Sequence, residues 1–520
     1  MTTVVTVPER FNAAAFFLDR HLVEGSGERI AFRHRGRHVT YAEVAERASR
    51  AAGALRAHGV EIEQRVLLAL PDCPEFAEVF WGAIRIGAVP VPLDPGLRAE
   101  EYAFFVADSR ARAIVTHPEA AAEFLAAPAR GRRPPRVLVV GAAPAGAESY
   151  EDALAGATPV LEPADTSRDD VALWVYTSGS TGNPKAAVHL QHDLVHAAER
   201  VGRGIFGIGP GDLILSASKL FYAFGLGNSL YFPALTGAAS LLVPERLDPE
   251  RLLALVAAER PTHLFAVATV YARLLQVPEA ARRFDLGSLR ICVSSGESLP
   301  PAVFQGWRDR FGLELLDVVG STEALHDYLA NRPGAARAGS SGQVIPGFEA
   351  RLVDGEGRPV LPGATGELLI KGETTAACYW NRHEQSRRTM QGEWLRTGDM
   401  FFQDTDGYFY FQGRGDEMLK VGGVWVSPVE VETCLAEHPA VLEAGVIGRR
   451  DADGLIRAHA FCVLKGGAAG DEALSSALTE HVRRRLAGYK APRWIEFVAE
   501  LPKTSTGKIQ RFRLRAVAAR

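Results

Sequence analysis

The sequence predicts a multidomain α/β protein: a large N-terminal part of α/β subdomains plus a small β unit, then a small, mobile α+β domain at the C-terminus. Three observations predict it. Helical and strand signals alternate over residues 40–115 and again from 171 to about 330, as expected of helices laid on a sheet. From Gly347 to Tyr410 the chain changes to short apolar runs separated by Gly and Asp, the signature of a small antiparallel unit. At 520 residues it is also too long for a single hydrophobic core.

The elements follow in order. Tyr41–His58 spaces its apolar residues as a helix and stops at Gly59. Arg65–Leu70 reads as a strand, Glu75–Ile86 as a helix ending at Gly87, and Val89–Pro92 as a strand entry. Residues 118–170, rich in Ala, Pro and Gly, are expected as loops beyond a sheet, with Val137–Val140 a strand among them. Leu220 to Pro244 carries no charge, but Gly225, Gly227, Asn228, Pro233 and Gly237 interrupt it. It is expected as a buried helix followed by strand Ala239–Val243, not as a membrane span. Glu349–Val353, Gly366–Ile370 and Tyr408–Gln412 supply the small β unit. After Gly415, strands Ala444–Ile447 and Ala458–Leu464, helix Glu472–Leu486 and strand Trp494–Val498 form the last domain. The division predicted is 1–415 and 416–520.

A net charge of −4 with 47% hydrophobic residues gives no reason to expect nucleic acid or an anionic membrane as partner. The cysteines, Cys73, Cys292, Cys378, Cys434 and Cys462, are scattered and odd in number without C-x-x-C. Neither a disulfide framework nor a zinc site is indicated, and a reducing cytoplasm fits. Pro8, Glu9 and Arg10 interrupt the N-terminus early, against a signal peptide. There is no G-x-S-x-G elbow for a serine hydrolase and no G-x-G-x-x-G after a strand for a dinucleotide. Lysine supplies only 8 of the 58 basic residues, yet Lys185, Lys420 and Lys508 all fall in the motifs below.

The most informative string is Thr177-Ser178-Gly179-Ser180-Thr181-Gly182-Asn183-Pro184-Lys185, after the apolar run Val171–Tyr176. Backbone amides and hydroxyls can donate to an anion, Lys185 adds charge, and glycine lets the backbone approach closely. It is not G-x-x-x-x-G-K-[ST], since Lys185 is followed by Ala186. The ordered string resembles the phosphate loop of the adenylate-forming enzymes: acyl- and aryl-CoA synthetases, free-standing adenylation domains and luciferases. Four further motifs in family order extend the resemblance over essentially the whole chain. They are Asp317-Val318-Val319-Gly320-Ser321-Thr322-Glu323, Thr397-Gly398-Asp399, Gly413-Arg414-Gly415-Asp416 through Lys420-Val421-Gly422-Gly423, and Pro502-Lys503-Thr504-Ser505-Thr506-Gly507-Lys508. Segments 219–228, 320–326 and 420–428 are most similar to the aryl-CoA ligases, benzoate-CoA ligase among them.

The resemblance implies ATP, Mg²⁺ and a thiol acceptor, either coenzyme A or the phosphopantetheine of an acyl carrier protein, with a small aryl acid as substrate. Glu323 would hold Mg²⁺, a hard-oxygen role, and Thr322 and Lys185 would face the phosphates. The nucleotide would be bound by 177–182, Ser295, Gly296, Glu297, Asp317 (which can only accept while ionised), Asp399 and Arg414. Val319 stands where the family has a tyrosine, so no ring stacks on adenine from there. Lys420, Gly422 and Gly423 would line the pantetheine passage, Asp416 would be the hinge, and Lys508 would assist attack on the α-phosphorus. Tyr222, Ala223, Phe224, Gly225, Gly320 and His326 would form a slot for a flat ring, Tyr222 where many members have a histidine. Tyr222 and Phe224 read equally well as ordinary core, and His326 as a helix-surface residue. Asp327 follows His326 where the related ligases tend to be apolar. It either faces the slot and calls for a polar ring substituent, or points to solvent or caps a turn. A non-catalytic nucleotide-binding protein on the same fold is the more distant alternative.

Overall fold

The computed structural model describes residues 5–127, 134–177, 183–421, 424–452, 454–466, 470–503 and 509–518. The alternating segments form two sheets. One is wholly parallel, in the spatial order Val89–Pro92, Arg65–Ala69, Ala113–Thr116, Arg136–Val139, Glu148–Ser149. The other has nine strands, in the order Gln343–Val344, Asp327–Ala330, Leu315–Gly320, Ile291–Ser294, His263–Ala266, Leu213–Ser216, Ala239–Leu241, Ile30–His34, Arg37–Thr40. Its middle is parallel, and it turns antiparallel at both ends. Parallel strands need both faces covered. Helices Tyr41–Ala57 and Pro74–Arg85 supply cover, packed so closely that a Cβ on Gly82 would lie 2.8 Å from the Ala48 carbonyl. Thr40 and Glu43 cap the first of these helices reciprocally, and Gly59 leaves it at φ 76°.

Residues 118–170 depart from the loop expectation. They hold helices Pro118–Ala126 and Tyr150–Ala155 as well as strand Arg136–Val139. Pro118 at the helix start and the Ser149 cap begin short helices, the first burying Ala120, Ala121 and Phe124 and the second only Tyr150 and Leu154. Helices this short carry too few turns for their apolar spacing to stand out from the Ala- and Pro-rich sequence around them. The uncharged stretch after Leu220 is a buried helical run, Ala223–Leu226, a π-turn at Gly227–Tyr231 and Phe232–Thr236, then strand Ala239–Leu241. No helix among the described residues is long and apolar enough to cross a membrane.

Glu349–Val353, Gly366–Lys371, Met390–Gln391, Trp394–Gln403 and Phe409–Arg414 form the antiparallel unit. A third small sheet joins the hairpin Val171–Thr177 and Lys185–Leu190 to Cys378–Tyr379. Beyond Leu419 a separate core gathers around strands Val441–Arg450, Ile456–Leu464 and Trp494–Phe497 and helices Pro428–Ala436 and Glu472–Arg485.

Candidate active site

Strand Leu315–Gly320 returns as Asp327–Ala330 through a turn of six residues, and that turn carries the polar groups singled out in the sequence. Gly320 must lack a Cβ, which would collide with the His326 carbonyl. A 3₁₀ turn spans Thr322–Ala324, and Leu325 then takes φ 65°, ψ −39°, an uncommon conformation for a branched residue.

Distant segments hold this turn. The ring of His189 bonds the Thr322 carbonyl through Nε2 (2.8 Å) and Asp193 through Nδ1 (2.9 Å). Carbonyl and carboxylate both accept, so both ring nitrogens must carry hydrogen for the two bonds to coexist. Ala376 N–H donates to the Glu323 carbonyl (2.7 Å) and the Thr374 hydroxyl to the Ala324 carbonyl (2.8 Å). Three successive carbonyls are thereby fixed.

Glu323 is half-buried. The Tyr379 hydroxyl donates to its Oε1 (2.5 Å), and no described residue bonds the other oxygen. The Tyr379 ring lies 4.4 Å from Lys185 Nζ, so one tyrosine links the Glu323 carboxylate to the lysine that ends the phosphate-loop motif. Strand pairing explains its position, because Tyr379 is opposite Ala187 on the Lys185 strand. Sequence reasoning missed Tyr379, and nothing local marks it. It also missed His189 and Asp193, whose i, i+4 spacing across a strand-to-helix junction was the available signal. Thr177 and Lys185 pair across the base of the hairpin. Ser178, Gly179, Ser180, Thr181 and Gly182 lie outside the described residues, as do Gly422, Gly423 and Lys508 and the side chain of Lys420.

Asp399 and Arg414 pair across neighbouring strands, and Arg414 donates to Asp399 Oδ1 and to the Thr397 carbonyl, both at 2.8 Å. Gly398, at φ 73°, leaves room for the guanidinium: a Cβ there would lie 2.8 Å from Arg414 Nη2. Burial opposes the Arg414 charge, but Asp399, Asp416 and Glu323 outweigh it and push its pKa up. Asp416 is exposed, 3.9 Å from Arg414, in the turn that leads to the C-terminal segment.

Asp317 is buried. Ser341 bonds one oxygen (3.4 Å), and the other has no partner. Burial pushes this carboxyl far up, and Asp327 adds to the effect. A carboxyl shifted this way accepts when ionised and can donate as well when protonated. Glu297 is held by the Thr269 N–H (2.9 Å) and hydroxyl (2.8 Å), and burial raises it too. Gly296 beside it has φ 85°.

Tyr222, Ala223 and Phe224 are partly exposed although Phe221 and Gly225–Phe232 around them are buried, as expected for residues facing a cleft. The Tyr222 hydroxyl reaches Asp94 (3.2 Å). His326 is not on a helix surface. It is buried between the rings of Phe224 and Phe232, centroids 5.5 and 4.5 Å away, in space left by Gly227. Asp327 neither points to solvent nor caps a turn. It is buried, and Ser295 donates to its Oδ1 (3.0 Å).

Comparison with known proteins matches this arrangement. The family of AMP-binding enzymes matches residues 19–380, and the AMP-binding enzyme C-terminal domain matches 430–508. The chain is 43% identical to a benzoate–CoA ligase of Thauera aromatica, covering 98% of this chain and 97% of that protein. Among solved structures it superposes on the anthranilate CoA ligase AuaEII in complex with anthranoyl-AMP with a TM-score of 0.93, at 39% identity over 99% of this chain and 98% of that one. It superposes on a benzoate CoA ligase from Burkholderia xenovorans LB400 with a TM-score of 0.90, at 40% identity over 97% and 100%. The chain therefore belongs to the AMP-binding enzymes, the adenylate-forming superfamily, alongside its aryl-CoA ligases.

Proposed function

We propose that the protein activates an aryl carboxylic acid with ATP and passes it to the thiol of coenzyme A. The carboxylate attacks the α-phosphorus, and pyrophosphate leaves. The thiol then attacks the acyl carbon of the aryl-adenylate, losing its proton, and AMP leaves. What supports the reading is the convergence of Glu323, Tyr379, Lys185 and the Asp399–Arg414 pair, the half-exposed run 222–224 that the same turn meets through His326, and the full-length similarity to benzoate–CoA ligase.

Glu323 fits Mg²⁺, because it is a hard oxygen donor with one oxygen unpartnered among the described residues. When bound there, the ion would neutralise phosphate charge. Asp399 and Arg414 orient the ribose, Lys185 and Lys508 face the phosphoryl oxygens, and Ser295–Glu297 and Asp317 border the nucleotide. Preorganised charges of this kind favour the transition state over the ground state. Asp416 serves as hinge between 1–415 and 416–520. Its turn would let the small domain withdraw Lys508 and bring Lys420, Gly422 and Gly423 to the pantetheine arm between the half-reactions. The free thiols of the five cysteines fit a cytoplasmic setting.

ATP–pyrophosphate exchange driven by a panel of benzoates tests the first half-reaction, and no exchange with any of them would reject the reading. Thioester formation with coenzyme A, against a phosphopantetheinylated carrier protein, tests the second. Acceptance of the carrier alone would move the protein to the adenylation enzymes that load carriers.

A further inference from the structure

Lys185–Leu190 is the middle strand of the small sheet, with Val171–Thr177 on one side and Cys378–Tyr379 on the other. A single residue from another part of the chain bonds both flanks. Asp108 lies near the end of helix Ala99–Ser109, its side chain only 10% exposed. Its Oδ2 accepts the Tyr176 hydroxyl (2.8 Å), its Oδ1 accepts Arg382 Nη2 (3.2 Å), and its backbone carbonyl accepts the Trp380 indole N–H (3.0 Å). Burial, and then the Asp108 charge, push the Tyr176 phenol up, so it stays a donor.

Each anchored residue adjoins one that the phosphate end uses. Tyr176 precedes Thr177, where the phosphate-loop motif begins. Trp380 follows Tyr379, whose hydroxyl bonds Glu323 and whose ring lies beside Lys185 Nζ. The Trp380 N–H also donates to the Ala186 carbonyl on the middle strand (2.9 Å). The rings of Trp174 and Trp380 close the two flanks on one another at 4.6 Å, and the Arg65 guanidinium lies 5.2 and 5.4 Å from them. A shift of either flank would therefore move Tyr379 or the start of the loop relative to Lys185.

Resting on the ATP-dependent reading above, we propose that Asp108 is a positioning residue for the phosphate end of the site. It locks the two strands that flank Lys185, and so sets Tyr379, and through it Glu323, against the triphosphate of Mg·ATP. Both carboxylate oxygens are engaged, one on each flank, so a change at Asp108 loosens both at once. The ring end is held by other elements, among them strand Asp327–Ala330 and its bond to Ser295. Asp108 should therefore act on the nucleotide and not on the aryl acid.

The test titrates the full chain with Mg·ATP by calorimetry, and measures KM for ATP and for the best benzoate in pyrophosphate exchange. The proteins compared are wild type, Tyr176→Phe, Asp108→Asn, Tyr379→Phe and the Asp108→Asn/Tyr379→Phe double variant. Asp108→Asn is close to isosteric, and should raise the Kd of Mg·ATP by about 10–100-fold, the scale of charge-assisted bonds. Tyr176→Phe deletes one hydroxyl and should raise it by about 2–10-fold. KM for ATP should rise with Kd, while KM for the benzoate stays as in wild type. The double variant should fall short of the product of its two single fold-changes, because both act on the same tyrosine. A merely structural role would lower Tm without moving Kd. An unchanged Kd in both Asp108→Asn and Tyr176→Phe, a common rise in both KM values, or a double variant equal to that product overturns the proposal. Mg·ATP binding without exchange would reject the ligase reading and leave the Kd series to judge Asp108. A wild type that does not bind Mg·ATP would reject both.

Discussion

The two ends of one turn behave in opposite ways. At Thr322–Glu323–Ala324 every backbone carbonyl is bonded by a distant segment, and the Glu323 side chain is held by Tyr379. At His326–Asp327, a few residues on, buried polar atoms remain unpaired. The end assigned to phosphate chemistry, the same for every substrate, is fixed in advance. The end assigned to the ring sets an imidazole beside a carboxylate, His326 Nδ1 3.0 Å from Asp327 Oδ2. Catalysis gains from groups that need not reorganise.

The largest effects should come from breaking the fixed end. Glu323→Gln and Lys508→Ala should each reduce pyrophosphate exchange by about 10²–10³, as loss of one preorganised charge does. Only Lys508→Ala should spare thiolysis of supplied aryl-AMP. Equal loss of both half-reactions in a folded Lys508 variant would refute its assignment to the first step.

Removing a support should weaken the fixed end without touching the ring. His189→Ala loses buried, charge-assisted bonds of about 1.5–3 kcal/mol, or roughly 10–100-fold in exchange rate. The order of preference among benzoates should stay as in wild type. A reordered preference would mean that the two ends are not separable.

A smaller change should follow Tyr379→Phe. It deletes one hydrogen bond to Glu323, about 0.5–1.5 kcal/mol, and should raise the half-saturating Mg²⁺ concentration by roughly 2–10-fold. A kcat loss with unchanged Mg²⁺ dependence would place Tyr379 elsewhere in the mechanism.

The smallest effect concerns Asp317. Its pKa is raised in the folded protein, so between its unfolded and folded values the native state holds more protons than the unfolded state. Its contribution to stability is therefore lost as pH rises through that window. Asp317→Asn should flatten the decline of Tm with rising pH. An unchanged slope would show that Asp317 is ionised in the native protein.

The sequence by itself determined the α/β class, the order of the motifs and most elements, because these rest on local rules. Apolar spacing placed Tyr41–Ala57 and Pro74–Arg85, and glycine closed each of them, Gly59 at φ 76° and Gly87 at φ 73°. Local rules failed at Pro118–Ala126 and Tyr150–Ala155, helices of 9 and 6 residues too short to show a clear period. Only the tertiary structure decided what each polar group faces. Tyr379 meets Glu323 across 56 positions, His189 meets Thr322 across 133, and Ser295 meets Asp327 across 32. Each contact depends on strand register: Tyr379 opposite Ala187, Ser294 beside Asp317, Gly320 opposite Asp327. Register is set by burying whole faces of a sheet, so no local pattern around Asp327 could reveal that its carboxylate would take a hydroxyl from Ser295.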